Sequence, residues 1–473
     1  MREYIRRGLN RILGPARATI DTIEPGSIVV APRKPIDLHD EAGITEVLDL
    51  AARIGAVLLD AGTGAIDTRD QVQFVAGIYG LEDVDIDVTF NTVLICARRG
   101  STLPPITASR TVNYRSLDFT RLAEIDRLVR RIRRLALTPT SAHRIVDVIV
   151  EAPHPYPRWI STLAWGAMAY GVAIFLAANW LVGLTAFVSS VAIVIVNRRL
   201  NRIGTPIFFQ QIAGGFIAVI PAAVLFRVLQ NTGIAVYPSQ IIAAGIIVLL
   251  SGLTLVGAVQ DAITGAPITA MARFTEVVVM TGGILIGVAL AVRGVGLFGI
   301  YLPELTTIPP FGASDLPARI LGGAIASGGF LAASYAERRA LPAAIGAGAL
   351  GAAVQGVLVV YTTTPLVTYA VAAVTVGLIG GVAARRALTP PLVIAIAGIT
   401  PMLPGMAIYR GMYGLMNDDP TRGGAEMAAA FSIGCALAAG VTLGEFIARR
   451  LRRPKIPPAL PQALRSVRDI RRR

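Results

Sequence analysis

The chain has 473 residues, of which 54% are hydrophobic and only 16% are charged, and its formal net charge is +14. About a quarter of the residues in a water-soluble protein are charged, so this composition excludes an ordinary soluble enzyme or binding domain. The arginines stand beside apolar runs, as in proteins held against anionic lipid headgroups. We therefore interpret the positive charge as membrane contact and expect no nucleic-acid partner.

Residues 1–39 are predicted to be a basic amphipathic segment and linker. The segment lacks the apolar stretch of a signal peptide. Ile5, Leu9, Ile12 and Leu13 fall at helical spacing and predict a helix that lies on the membrane surface.

Residues 40–158 are predicted to form a cytoplasmic α/β domain. The apolar residues of Thr45–Gly62 and Asp67–Tyr79 recur at helical spacing and predict two helices. The second begins with a capping Asp and an acidic first turn. Alternating residues in Val84–Arg99 predict a hairpin with its turn at Asn91–Thr92. The remaining predicted elements are a strand Ile106–Tyr114, a helix Phe119–Leu137 and a helix Thr140–Glu151 introduced by Thr138-Pro139.

Five arginines fall in the predicted helix Phe119–Leu137, and we expect them to form a solvated or lipid-facing surface. They are Arg127, Arg130, Arg131, Arg133 and Arg134.

The sequence offers few catalytic candidates. Ser141 and His143 are two residues apart at a helix start, so they cannot face each other well as nucleophile and base. Cys96 and Cys435 fall in a predicted strand and a predicted span, which implies neither a disulfide nor a metal site. We expect no enzymatic activity and no cofactor.

Beyond Trp159 the chain contains ten apolar segments of ~17–23 residues, long enough for a hydrocarbon core about 30 Å thick. The predicted spans are 160–178, 180–197, 207–229, 240–259, 275–292, 318–336, 341–361, 366–384, 391–409 and 425–447. This gives spans 1–5 in residues 159–297, an extracytoplasmic loop at 298–317, spans 6–10 in 318–447, and a basic cytoplasmic tail at 448–473.

Arginines mark one side of this predicted topology. They follow spans two, six, eight and ten, whereas the loops after spans one, three and seven carry neither Lys nor Arg. By the positive-inside rule, both termini lie in the cytoplasm.

Two stretches five spans apart are similar. GLTLVGAVQDAITG (Gly252–Gly265) is followed by Arg273 and Glu276, and GITPMLPGMAIYRG (Gly398–Gly411) is followed by Arg422 and Glu426. Because the two stretches are an odd number of spans apart, the two units have opposite orientations in the membrane. The pattern therefore predicts two inverted five-helix repeats, a transporter architecture with interrupted helices around the substrate site.

The candidate substrate and proton pathway lies in these stretches. Prolines lack an N–H, and backbone groups freed at membrane depth must find a partner or line a cavity. A carboxylate at that depth marks an ion or proton path. The predicted pathway residues are Thr254, Asp261, Glu276, Thr400, Pro401, Pro404 and Gly405.

Simpler interpretations of these residues remain open. Asp261 and Glu276 could lie at the cytoplasmic interface, with Asp261 a solvated loop residue, and the prolines could form a packed kink, the interpretation we prefer for Pro221. We expect Glu445 and Arg449 to form an interface ion pair. The glycine pairs Gly283/Gly287 and Gly377/Gly381 predict close helix contacts.

Three longer segments carry a family resemblance. They are DAGTGAIDTRDQVQFVAGIYGLEDVDIDVTFNTVLI, SGLTLVGAVQDAITGAPITAMARFTEVVVMTGGILIGVAL and GITPMLPGMAIYRGMYGL, with QDAITG and TPMLPG the most specific motifs. Over residues 45–447 the chain resembles the bacterial threonine/serine exporter family, especially its actinobacterial members.

The resemblance implies a polytopic α-helical protein of the bacterial cytoplasmic membrane, with a cytoplasmic N-terminal domain and ten spans. It implies export of L-threonine, L-serine and similar small solutes, driven by the proton motive force. Some bacteria divide the family into two partner chains, which agrees with the repeat above. The alternatives are a membrane-anchored enzyme with a hydrolase-like N-terminal domain, and a ligand-gated channel or sensor. The sequence leaves the oligomeric state open, a homo-oligomer included.

Overall fold

The computed structural model describes residues 37–100, 103–112, 117–135, 137–232, 237–249, 252–302, 312–361, 364–416 and 419–451. The predicted surface helix near the N-terminus and most of the basic tail lie outside these residues.

The N-terminal unit comprises residues 37–157 and combines four helices with one small sheet. Its elements are α1 (Glu41–Asp60), α2 (Ala65–Ile78), β1 (Val84–Thr89), β2 (Thr92–Arg99), β3 (Leu103–Thr111), α3 (Phe119–Leu135) and α4 (Pro139–Glu151). The strands pair antiparallel in the order β1-β2-β3. α1 packs against the sheet and the other helices through Ile44, Leu48 and Ile54, which are fully buried.

Two local details differ from the predictions. Thr89 pairs with Thr92, so the hairpin turn consists of Phe90 and Asn91, with Phe90 in the left-handed region (φ 52°). α2 begins at Ala65, two residues before the predicted cap, and Asp67 lies inside its first turn. At the start of α4 the prediction is confirmed, because Thr138 accepts a hydrogen bond from the Ser141 amide at 3.3 Å and Pro139 is the first helical residue.

Among the described residues, the chain after residue 157 is mostly helical. Its helices are α5 (Arg158–Phe175), α6 (Trp180–Arg202), α7 (Ile207–Leu229), α8 (Pro238–Leu249), α9 (Gly252–Thr264), α10 (Pro267–Leu297), α11 (Leu316–Ala333), α12 (Leu341–Tyr361), α13 (Pro365–Ala387), α14 (Pro391–Ile399), α15 (Gly405–Met416) and α16 (Pro420–Leu451).

Each predicted span corresponds to one helix or one bent helix pair. Within the described residues, seven helices are long and apolar enough to cross a membrane, or up to nine spans if each bent pair counts as one. α5, at the first predicted span, is not among them. The chain is therefore a polytopic membrane protein, and the count of ten spans stays a prediction.

The two bent pairs are α8 with α9, at 56°, and α14 with α15, at 46°. They fall at the fourth and ninth predicted spans. α15 packs against α8, and α9 packs against α16, so the two breaks face a common region of the bundle.

Glycines allow several helices to touch. A Cβ added at Gly283 would lie 2.9 Å from the carbonyl oxygen of Phe208, and one at Gly287 would overlap the carbonyl oxygen of Ile212. α10 and α7 therefore meet backbone to backbone at two successive turns. The predicted close contact of this glycine pair is confirmed.

Candidate functional site

A cavity of about 270 Å³ lies between the two bent helix pairs and beneath the N-terminal unit; we call it the central cavity. Its polar lining comes from three elements. Thr254 and Gln260 belong to α9, Arg273 and Glu276 to α10, and Thr400 to the break after α14. Apolar residues form most of the remaining wall, including Ile247, Trp165, Met168 and Phe330. A few polar groups in an otherwise apolar concavity are typical of a small-molecule site.

The break between α14 and α15 is built by the TPMLPG motif. Thr400–Met402 form a single 3-10 turn, and the Thr400 hydroxyl donates to the Ile396 carbonyl at 3.0 Å. Pro401 and Pro404 have no N–H, so neither can continue the α-helical hydrogen-bond ladder. The break is therefore a consequence of the sequence and sets Thr400 against the cavity.

Gly405 restarts the helix where α15 touches α8. A Cβ on Gly405 would lie 2.6 Å from Ile247 Cγ1 and 3.1 Å from the Ala243 carbonyl oxygen. The absence of a side chain thus lets the two bent pairs approach each other at the cavity wall.

The structure divides the predicted pathway residues into three groups. Thr254, Glu276 and Thr400 line the central cavity. Pro401, Pro404 and Gly405 shape the break beside it. Asp261 does not line the central cavity; it lies near the C-terminal end of α9, away from the break between α8 and α9.

Asp261 is 1% exposed, so it is not a solvated loop residue. Its Oδ2 lies 2.8 Å from Arg273 Nη1, and its Oδ1 accepts a hydrogen bond from the Ala65 amide at 3.0 Å. Ala65 is the first residue of α2, whose own N-cap is Gly64 with no side chain to offer. Asp261, a residue of the membrane bundle, therefore caps the N-terminus of α2 in the N-terminal unit. A helix N-terminus attracts negative charge, so the Asp261 carboxylate is stabilised there.

Arg273, part of the predicted repeat but not of the predicted pathway, also lines the central cavity. It is 4% exposed, and its Nη2 donates to the Thr63 carbonyl at 3.2 Å. An arginine three residues before Glu276 falls on the same helix face, and this spacing was the available signal.

Further contacts dock the N-terminal unit on both halves of the bundle. The Thr269 hydroxyl of α10 accepts from the Phe90 amide at 3.1 Å and donates to the Val88 carbonyl at 3.3 Å. In the second half, Arg127 forms a two-pronged ion pair with Glu337, which follows α11.

The ion pair corrects the prediction that the arginines of α3 form a solvated or lipid-facing surface. Arg127 is 7% exposed and Glu337 is 9% exposed, so both charges are buried at the interface. Arg127 lies on the face of α3 that turns toward the bundle. Arg130, by contrast, is half exposed and pairs with Asp126 one turn away.

A second docking contact joins the start of α3 to the same loop. Asp118 accepts hydrogen bonds from the Thr120 and Arg121 amides at 3.1 Å each, and its other carboxylate oxygen lies 2.8 Å from His154 Nδ1. The His154 ring stacks on Tyr335 with centroids 4.1 Å apart.

Glu445 and Arg449 form the expected pair, at 3.8 Å. Ser141 and His143 make separate contacts, Ser141 with Thr138 and His143 with the Glu46 carbonyl at 3.2 Å.

A polytopic helical bundle with a polar cavity at two helix breaks defines a membrane protein of the transport class. Comparison with known proteins identifies the family. Residues 49–294 match the family described as putative threonine/serine exporter, and residues 319–447 match a second one described as threonine/serine exporter, ThrE. The chain belongs to the threonine/serine exporter family.

Two relatives extend over most of the chain. It is 42% identical over 441 residues to a threonine/serine exporter of Corynebacterium glutamicum, covering 93% of this chain and 90% of that protein. It is 39% identical over 430 residues to a probable threonine/serine exporter of Mycobacterium tuberculosis strain H37Rv, covering 88% and 78%. No solved structure matches the chain.

Proposed function

We propose that this protein is a secondary active exporter of small amino acids, with L-threonine and L-serine as substrates and protons as the coupling ion. It acts in the bacterial cytoplasmic membrane with both termini in the cytoplasm. The observation that carries the proposal is the central cavity, where two bent helix pairs meet and present Thr254, Glu276 and Thr400. The names of the two relatives support the substrate class.

The cavity suits a small zwitterion. Its volume of about 270 Å³ is slightly below the roughly 300–1,000 Å³ of pockets for drug-sized ligands. The Glu276 carboxylate offers a partner for the substrate ammonium, and the hydroxyls of Thr254 and Thr400 offer partners for a substrate hydroxyl. Thr254 lies in the first turn of α9, where exposed backbone N–H groups and the helix dipole attract a carboxylate.

Glu276 is the carboxyl we assign to proton coupling. It lines the cavity on α10, a helix long and apolar enough to cross the membrane. A carboxyl in such a place can bind a proton when the cavity opens to one side and release it when the cavity opens to the other. Two inverted repeats, with bent pairs at spans four and nine, provide the symmetry for such alternation.

The test is flux of labelled L-threonine in proteoliposomes, with and without an imposed pH gradient. Wild-type protein is expected to transport threonine faster with the gradient, and Glu276→Gln to lose that acceleration. Pro221→Ala, inside the unbroken helix α7, is the control for a substitution in the bundle. If folded wild-type protein transports neither threonine nor serine under any gradient, the proposed function is wrong.

A further inference from the structure

A second, larger cavity of about 470 Å³ lies between the N-terminal unit and the bundle; we call it the interface cavity. One wall comes from α2 and α3, and the other from the α13–α14 connection and the end of α16. Its ionisable lining consists of Asp67, Asp70, Asp126, Arg130, Glu445 and Arg449. A concave site built from two separate parts of the chain is a common location for ligand binding.

The charges in the interface cavity are unbalanced. Arg130 pairs with Asp126, and Arg449 lies 3.8 Å from Glu445. Asp67 and Asp70 form no ion pair with any residue in the described ranges. Burial raises the pKa of Asp67, with a smaller opposing effect from Arg449 and further increases from Asp70 and Asp261. A cationic group placed beside these two carboxylates would therefore be stabilised.

Thr63 is an independent sign of a ligand. Thr63 lines the interface cavity and is only 7% exposed. Its hydroxyl has no hydrogen-bond partner among the residues described. Buried hydroxyls in native proteins are nearly always hydrogen-bonded. Thr63 thus brings an unsatisfied hydroxyl to the wall of this cavity.

The interface cavity adjoins the central cavity. Ala61, Gly62 and Gly64 line the central cavity, whereas Thr63 in the same turn lines the interface cavity. Leu392 lines both cavities. One turn of the chain, tied down by the bond from Arg273 to the Thr63 carbonyl, therefore separates the two spaces.

We propose that the interface cavity is a second binding site, for the zwitterion of an α-amino acid, occupied before the substrate enters the central cavity. The ammonium lies between Asp67 and Asp70, the carboxylate faces Arg449, and Thr63 contributes a hydrogen bond. The inference rests on the proposed function, since it supplies the loading site for the same substrate.

The test is equilibrium dialysis of labelled L-threonine against the purified full-length protein, combined with flux in proteoliposomes. Wild type is expected to bind two molecules per chain, and Asp67→Asn/Asp70→Asn one. Thr63→Val keeps the side-chain size and is expected to weaken one of the two sites by about tenfold, the cost of one hydrogen bond to a charged ligand. In both variants the substrate concentration for half-maximal flux rises.

The matched control is Asp85→Asn, at an exposed position of strand β1, which is expected to bind and transport like wild type. One threonine per wild-type chain, or unchanged stoichiometry and half-maximal concentration in both cavity variants, would overturn the second site while transport persists. If wild type neither binds nor transports threonine or serine, the proposed function fails as well, and the two failures are thereby distinguished.

Discussion

Arg273 and Asp261 form a buried ion pair, 2.8 Å from Nη1 to Oδ2, and each of them also holds the N-terminal unit. Asp261 accepts from the Ala65 amide, and Arg273 donates to the Thr63 carbonyl. Because Arg273 also lines the central cavity, one side-chain pair links the cavity wall to the turn that covers it. Any movement that opens this turn must break hydrogen bonds to both members of the pair.

Asp261→Asn is expected to impair transport while the protein stays inserted in the membrane. The Asn amide can still accept from Ala65, but it leaves the guanidinium of Arg273 buried without its counter-charge. Removing one partner of a buried pair costs about 3–5 kcal/mol of stability. Thermal unfolding in detergent and threonine flux from the same preparation measure both effects.

The double variant Asp261→Asn/Arg273→Gln separates structure from transport, since it removes the uncompensated charge. Stability is expected to recover in part, and flux that stays low despite the recovery assigns the transport defect to the Asp261–Arg273 pair and not to lost stability. Wild-type flux from Asp261→Asn would remove Asp261 from the pathway altogether.

Arg127→Ala is expected to loosen the N-terminal unit. It leaves Glu337 buried without its main partner, at a cost of about 3–5 kcal/mol. Faster hydrogen exchange in α3 is the readout. Arg98→Ala is the control, because Arg98 and Asp85 form an exposed pair and such pairs contribute little. Equal exchange in the two variants would contradict a docking role for Arg127.

Pro404→Ala is expected to reduce threonine flux strongly in folded protein. Alanine restores an N–H that can donate to the Thr400 carbonyl, so α14 and α15 can join through the break. Pro221→Ala changes a proline inside the continuous helix α7 and is expected to retain flux. If Pro404→Ala transports like Pro221→Ala, the break is only a packing kink.

Gly287→Ala is expected to destabilise the bundle by at least the roughly 1–3 kcal/mol of an overpacked core, because its Cβ would overlap the Ile212 carbonyl oxygen. Gly294→Ala, on the same helix α10, has nothing within 4 Å of the added Cβ. That control is expected to be neutral or slightly stabilising, because alanine favours helix. Thermal unfolding of the two variants side by side measures the difference.

Asp67→Asn is expected to change how stability depends on pH. Burial raises the pKa of Asp67 above its ordinary value of 3.8. At a pH between these two values, the carboxyl is protonated in the folded state and ionised in the unfolded state. Stability therefore falls as pH rises from that ordinary value through the folded-state pKa. Asparagine cannot titrate, so thermal unfolding of the variant should depend less on pH between acidic and neutral conditions. An identical pH profile would contradict the raised pKa.

Local patterns in the sequence predicted much of the architecture. Each predicted apolar span overlaps a described helix or bent pair, with ends that differ by up to eight residues, and the prolines of TPMLPG located the break of α14 and α15. These features depend on neighbours in sequence, such as missing N–H groups and helical periodicity. The same stretches pointed to Thr254, Glu276 and Thr400, which the fold brings to one cavity.

The interface between the N-terminal unit and the bundle could not be predicted in this way. The cap of α2 comes from Asp261, 196 residues away, and the partner of Arg127 is 210 residues away. The sequence of a helix with several arginines is the same whether one arginine is buried or all are solvated. Only the tertiary contacts distinguish Arg127 from Arg130.

The position of Glu337 has a consequence for how the protein is made. The ribosome synthesises the N-terminal unit first, and domains generally fold as units during synthesis. Yet Arg127 finds its counter-charge only after α11 has emerged, whereas Ala65 and Phe90 find their partners on α9 and α10 earlier. Assembly of the interface is therefore ordered in time, with the first half of the bundle engaged before the second. A chain that stopped after α10 would leave the guanidinium of Arg127 without the counter-charge that buries it in the complete protein.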